Sequence, residues 1–156
     1  MVKLTLIRHG QSTVNENPDL PLEQKINCGL SKNGIVQSEA LNFNFDLLIL
    51  SPLKRSIQTY TNSNIKIKGV TICNMTRELM DDPSSFLDLE EEKKIENMQE
   101  LEYRVDRFIA FLKLINKEYD TIGMITHFQF LKVFTKKIFG KEILFGNCES
   151  LSLCFE

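Results

Sequence analysis

Short apolar runs alternate with amphipathic stretches along the chain, and that alternation predicts an α/β fold. Residues 2–7 read as a first strand. Leu47-Leu48-Ile49-Leu50 is apolar on both faces, as a central parallel strand should be. Residues 70–73 and 121–126 predict two more strands. The tail Leu151-Ser152-Leu153-Cys154-Phe155 alternates strictly, which suits a strand with one face less buried.

Helices fill the intervals. Ser31 is a fitting N-cap for a helix running through Ile35 and Ala40 toward Leu41. Residues 54–61 predict a short helix after Ser51-Pro52. Leu101, Val105, Phe108, Leu112 and Ile115 recur at spacings of 4, 3, 4 and 3, one apolar stripe of a longer helix. Phe128, Leu131, Phe134 and Ile138 mark a last helix, stopped by Gly140. There is no internal repeat and no low-complexity linker. The pattern predicts a three-layer αβα sandwich, with a mainly parallel central sheet and an antiparallel edge strand.

Composition narrows this picture by exclusion. A chain of 156 residues is long enough for one domain with a sizeable core, so residues 1–156 are expected to form a single domain. A formal net charge of -2 favours neither nucleic acid nor an acidic membrane surface as partner. No apolar stretch approaches a membrane span, and the N-terminus lacks the apolar block of a signal peptide. Cys28, Cys73, Cys148 and Cys154 show no CxxC spacing, so a structural zinc site is not expected. They read as reduced thiols in an intracellular, cytoplasmic protein. Between Glu78 and Glu102 there are ten acids against Lys93 and Lys94 alone, which predicts a solvated helical face. The functional alternative is an acidic rim that disfavours large polyanionic substrates.

The candidate chemistry lies where strands should end. Arg8-His9-Gly10 follows the run Leu4-Thr5-Leu6-Ile7, and the second of the chain's two histidines, His127, follows Ile122-Gly123-Met124-Ile125-Thr126. In open α/β sheets ligands bind at the C-terminal ends of strands. Taken singly, either histidine reads equally well as an ordinary loop residue; the pairing is what points to a site. Neutral imidazole is a competent phosphoryl acceptor near pH 7, and guanidinium offers paired donors that match phosphate oxygens. Arg55, one turn into the helix after the second strand, can reach the same sheet edge.

Leu6-Ile7-Arg8-His9-Gly10-Gln11-Ser12 through Asn15 resembles the signature of the histidine phosphatase superfamily, the phosphoglycerate-mutase-like proteins. Gly29-Leu30-Ser31-Lys32-Asn33-Gly34 resembles that family's loop and helix start. Residues 51–59 resemble its second arginine motif, and residues 147–155 its closing strand. The resemblance covers most of the chain outside residues 62–116. It implies that His9 attacks phosphorus and becomes a transient phosphohistidine. Arg8, Arg55 and His127 would line a positive phosphate pocket, Asn15 would add a hydrogen bond, and no metal or other cofactor would be required. Glu78, in Thr76-Arg77-Glu78-Leu79, is the implied general acid, with Asp81 and Asp82 as competitors. The Gly-rich, Trp-containing stretch that often follows in the family is missing here. Phe128 stands where the family usually has Gly after the second histidine. It leaves its N–H available to phosphate and adds bulk at the pocket wall.

The family contains mutases, small-molecule phosphatases, phosphohistidine protein phosphatases and members without activity. The chain is short for a mutase, since residues 75–99 leave little room for a lid over a bisphosphorylated cofactor. The expected activity is therefore that of a metal-independent phosphatase of the histidine acid type, a phosphoric monoester hydrolase. Its substrate would be a small phosphorylated metabolite or a phosphoprotein. Glu78 weighs against the phosphohistidine protein phosphatases, which generally lack that acid. A non-catalytic phospho-binding module is the reading from another class. It sits poorly with the presence of His9, Arg8, Arg55 and His127 together.

Overall fold

The computed structural model describes the backbone of residues 1–156 and the side chains of all but Lys93. Five strands, β1 Val2–Arg8, β2 Asn44–Leu50, β3 Lys66–Ile72, β4 Thr121–Thr126 and β5 Ser150–Phe155, form one sheet. Their order is β3-β2-β4-β1-β5. β5 runs antiparallel to β1, and every other pairing is parallel. The expected mixed α/β fold, with an antiparallel edge strand, is what the chain adopts.

Six helices connect these strands: α1 Thr13–Glu16, α2 Leu22–Lys25, α3 Lys32–Glu39, α4 Lys54–Thr61, α5 Met98–Ile115 and α6 Phe128–Phe139. The predicted helices appear with their caps. The Ser31 hydroxyl accepts from the Gly34 N–H to open α3. Gly140 closes α6 at φ 73°, where a side chain would be strained. Strand alternation sends residues to two cores. On one face Leu4, Leu6, Leu47, Ile49, Ile122 and Met124 meet Leu101, Val105, Phe108 and Leu112 of α5 and Phe130, Leu131 and Phe134 of α6. On the other, Ile7, Leu48, Leu50 and Ile125 pack with Leu41, Phe45 and Ile65, Tyr60 of α4 lying against them.

Two expectations change. β3 begins at Lys66 rather than at residue 70, because on this outer strand Lys66 and Lys68 break the apolar run and mask its pattern. The acidic run is not a continuous solvated helical face. Residues 83–85 and 89–94 wind into 3₁₀ turns, and α5 starts only at Met98, with a capping box between Asn97 and Glu100. Two of its acids turn inward to arginines. Glu91 pairs with Arg77, and Glu96 with Arg104 at 2.6 Å. Buried guanidinium groups require such partners.

Register places the chemistry. Arg8 lies opposite Thr126, and Leu50 opposite Ile125. Three neighbouring strands thus end level, delivering Arg8-His9, Ser51 and His127 to one edge.

Candidate active site

His9 leaves β1 into a loop held from several sides. Its own N–H donates to the Thr126 carbonyl at 3.0 Å, and the Gly10 N–H donates to the Thr59 hydroxyl at 3.0 Å. A Cβ on Gly10 would lie 2.6 Å from the Gly34 carbonyl oxygen, so the loop can approach the start of α3 only with glycine there. The His9 side chain is nearly sealed, 3% exposed. Its Nδ1 sits 2.6 Å from the Gly10 carbonyl. A carbonyl only accepts, so Nδ1 carries the proton and Nε2 keeps its lone pair. In the resting site the Arg55 Nε–H donates to that Nε2 at 3.2 Å.

The other members gather around this ring. His127 is fully buried, its ring centroid 5.1 Å from that of His9, and its Nε2 is 2.7 Å from the Ser51 hydroxyl. Arg55 is 4% exposed, and its Nη1 donates to the Ser84 carbonyl at 2.7 Å. Arg8 donates through Nη1 to the Phe145 carbonyl at 2.8 Å. Its guanidinium lies over the Phe128 ring at 5.1 Å, a cation–π contact. Phe128 is thus more than bulk at the wall: its ring supports Arg8. Arg8 Nε and His127 Nδ1 are buried without a hydrogen-bond partner among the described residues. Buried polar atoms are rarely left unpaired, and two of them in one cluster are what a bound oxyanion would satisfy.

Glu78 joins the cluster from the segment after β3. Its carboxylate accepts from the N–H groups of Leu79 at 3.0 Å, Gln129 at 3.0 Å and Phe130 at 3.1 Å, the last two at the start of α6. Its charge acts on both Arg8 and Arg55. Asp81 and Asp82 are exposed, and the Asp82 carboxylate is taken up by the N–H and hydroxyl of Ser84. Asn15 is exposed too. Its side-chain oxygen accepts from the Ser12 N–H in the capping box of α1, and no hydrogen bond ties it to the two histidines or the two arginines.

Burial governs the ionisation of this group. It pulls His9 well below the ordinary imidazole value, and the positive charges of Arg55 and Arg8 act in the same sense, against the Gly10 carbonyl. Burial and then Arg55 hold His127 well below it as well. Burial pushes Glu78 upward, outweighing its three N–H donors. The site therefore favours neutral imidazoles beside cationic guanidinium groups and a carboxyl inclined to keep its proton.

Three contributors were not singled out from the sequence. Ser51 bonds His127. Thr59 ties α4 to the loop, accepting from Gly10 and donating to the Arg55 carbonyl at 2.7 Å. Arg104 braces the segment bearing Glu78, donating to the carbonyls of Met75, Arg77 and Glu78 and, through two nitrogens, to Glu96. Ser51 carried a usable signal, since it follows an apolar run as Arg8-His9 and His127 follow theirs. Arg104 lies in a helix far along the chain and carried none. Among the described residues, no three His, Cys, Asp or Glu side chains gather as metal ligands. No helix among them is long and apolar enough to cross a membrane.

Residues 4–72 match the family model of the histidine phosphatase superfamily, branch 1. No curated protein sequence matches the chain. Solved structures do. The alpha-ribazole phosphatase from Shigella flexneri aligns at 21% identity and a TM-score of 0.64, over 90% of this chain and 81% of its own. A phosphoserine phosphatase from Entamoeba histolytica, solved with phosphoserine, aligns at 19% identity and a TM-score of 0.65, over 100% and 92%. The phosphoglycerate mutase from Thermus thermophilus aligns at 18% identity and a TM-score of 0.67, over 97% and 92%. At these identities the likeness is one of fold.

Proposed function

With residues 4–72 a histidine phosphatase superfamily sequence and the chain as a whole in the phosphoglycerate-mutase-like fold, we propose that this protein hydrolyses phosphomonoesters through a phosphohistidine on His9, residues 1–156 acting as one catalytic domain. The observation that carries this reading is the fixed tautomer of His9. With Nδ1–H committed to the Gly10 carbonyl, Nε2 is the nitrogen free to attack.

The steps follow from the side chains. Phosphate oxygens draw Arg55 off His9 Nε2 and take up Arg8 Nε and His127 Nδ1. Nε2 forms a bond to phosphorus as the bond to the ester oxygen breaks, and Glu78 gives its proton to that oxygen. Water then attacks phosphorus, the N–P bond breaks, and Glu78 takes a proton from the water. Guanidinium and imidazole donors supply the charge stabilisation, so these steps need no metal. Asn15 would serve phosphate only after its side-chain oxygen leaves the Ser12 N–H, so it is a weaker candidate than the Phe128 N–H.

A small metabolite inside the cell suits the site better than a protein. His9, Arg55 and His127 are nearly inaccessible, and a folded protein surface would require a broader opening. The presence of Glu78 further separates this chain from phosphohistidine protein phosphatases. The experiment is phosphate release from a panel of phosphomonoesters and a phosphohistidine peptide, with chelator present, for wild type beside His9→Ala. Chelator-resistant turnover, reduced about a thousandfold or more by the substitution, is expected. Equal release by both proteins, or none from any substrate, would sink the proposal.

A further inference from the structure

Ser51 emerges from β2 beside His127, and neither is exposed. The Ser51 oxygen accepts from the Leu53 N–H at 3.3 Å and lies 2.7 Å from His127 Nε2. Among the described residues no other hydrogen bond involves this hydroxyl, so its proton has one acceptor in reach, the Nε2 lone pair. If Nε2 carried the proton instead, a buried hydroxyl hydrogen would be stranded. A bare lone pair would also remain on His127 Nδ1, which has no partner in its buried position among those residues. Complete pairing of the Ser51 hydroxyl thus puts the hydrogen of His127 on Nδ1.

We propose that Ser51 is a positioning residue that holds His127 in its Nδ1–H tautomer, so that the ring offers phosphate a donor. The proposal rests on the phosphatase reading for its catalytic consequence, and on hydrogen bonding alone for the tautomer. A neutral histidine prefers the Nε2–H form when nothing intervenes. Without the hydroxyl the ring should relax toward that form and present a lone pair to an anionic oxygen. Both rings thus carry their hydrogen on Nδ1, but His9 is held at Nδ1 by the Gly10 carbonyl and leaves Nε2 for phosphorus, whereas His127 is held at Nε2 and leaves Nδ1–H for an oxygen.

The test uses the full chain with ¹⁵N-labelled histidine rings. Two histidines make the assignment direct, since His9→Ala leaves His127 as the sole signal. In wild type, protonated-type resonance at Nδ1 and acceptor-type resonance at Nε2 are expected for His127. Ser51→Ala should move the ring toward Nε2–H and lower kcat about ten- to a hundredfold, with KM within about threefold. Ser51→Thr, which keeps the hydroxyl, should restore both the ring signals and most of kcat. A purely structural role would move neither the tautomer nor kcat in this pattern. Wild-type His127 in the Nε2–H form would overturn the proposal. So would a Ser51→Ala protein with unchanged ring signals or unchanged kcat. If wild type releases phosphate from no ester, the phosphatase reading falls. The ring signals, recorded without substrate, still decide what Ser51 does. Should Ser51→Ala fail to fold, the wild-type and Ser51→Thr spectra decide it.

Discussion

In the proposed mechanism the chemistry is set by displaced ionisations acting in opposite directions on two side chains. His9, pulled well below its ordinary 6.5 by burial, would be a neutral nucleophile across the neutral range and would lose that role when acid protonates it. Glu78, pushed above 4.5 by burial, keeps its proton longer and, as the proposed acid, would lose that role when base removes it. Both shifts favour the coexistence of neutral imidazole and neutral carboxyl. The expected kcat/KM profile is a bell whose rising limb lies below pH 6.5 and whose falling limb lies above pH 4.5. Glu78→Gln should remove the falling limb and lower the rate about 10²–10⁴-fold. An unchanged profile in that variant would take Glu78 out of the acid role.

Among the elements, the segment between β3 and α5 has only 3₁₀ turns, and inward ion pairs hold it in place. Arg77 binds Glu91 and the Ser85 carbonyl, while Arg104 binds Glu96 and the carbonyls of Met75, Arg77 and Glu78. Local propensity cannot hold such a stretch, so its position depends on guanidinium forks reaching across from neighbouring elements. Arg104→Met keeps the bulk of the stem and removes the fork. It leaves the Glu96 carboxylate and those three carbonyls short of a donor. Denaturant melts should show a loss of about 3 kcal/mol, and turnover should fall with it as Glu78 loses its placement. Arg104→Lys should recover little of either, because an ammonium cannot serve acceptors in so many directions. Full recovery by lysine would mean that charge alone matters.

For the molecule as a whole, the site depends on the sheet and the aromatic core beneath it. Phe108 of α5 packs edge-on against Phe130 and tilted against Phe134, both of α6, and none of the three is exposed. Phe108→Ala should cost about 3–5 kcal/mol in an equilibrium unfolding measurement. A loss below about 1 kcal/mol would mean that the surrounding core collapses into the space.

Much of this architecture was legible from periodicity, because alternation and helical stripes are local records of which face each residue buries. Five strands, the capped start of α3 and the glycine stop of α6 follow from it, as does the placement of Arg8, His9 and His127 at strand ends and of Arg55 in the helix after the second strand. Where periodicity is weak, at β3 with its lysines and in the acidic run, the extent and form of the elements were not. The site divides along the same line. Residue types at and after strand ends suggest the proposed nucleophile and its cations. Parallel register, which no local pattern encodes, brings three strand ends level and sets two imidazoles 5.1 Å apart. Tertiary structure alone decided that Glu78 acts on both Arg8 and Arg55 while Asp81 and Asp82 are exposed, Asp82 acting on Arg55 alone of the two arginines, that Asn15 has no hydrogen bond to the cluster, and that Phe128 carries Arg8. Each of those outcomes depends on contacts between residues distant in the chain, and such contacts exist only once the sheet has assembled.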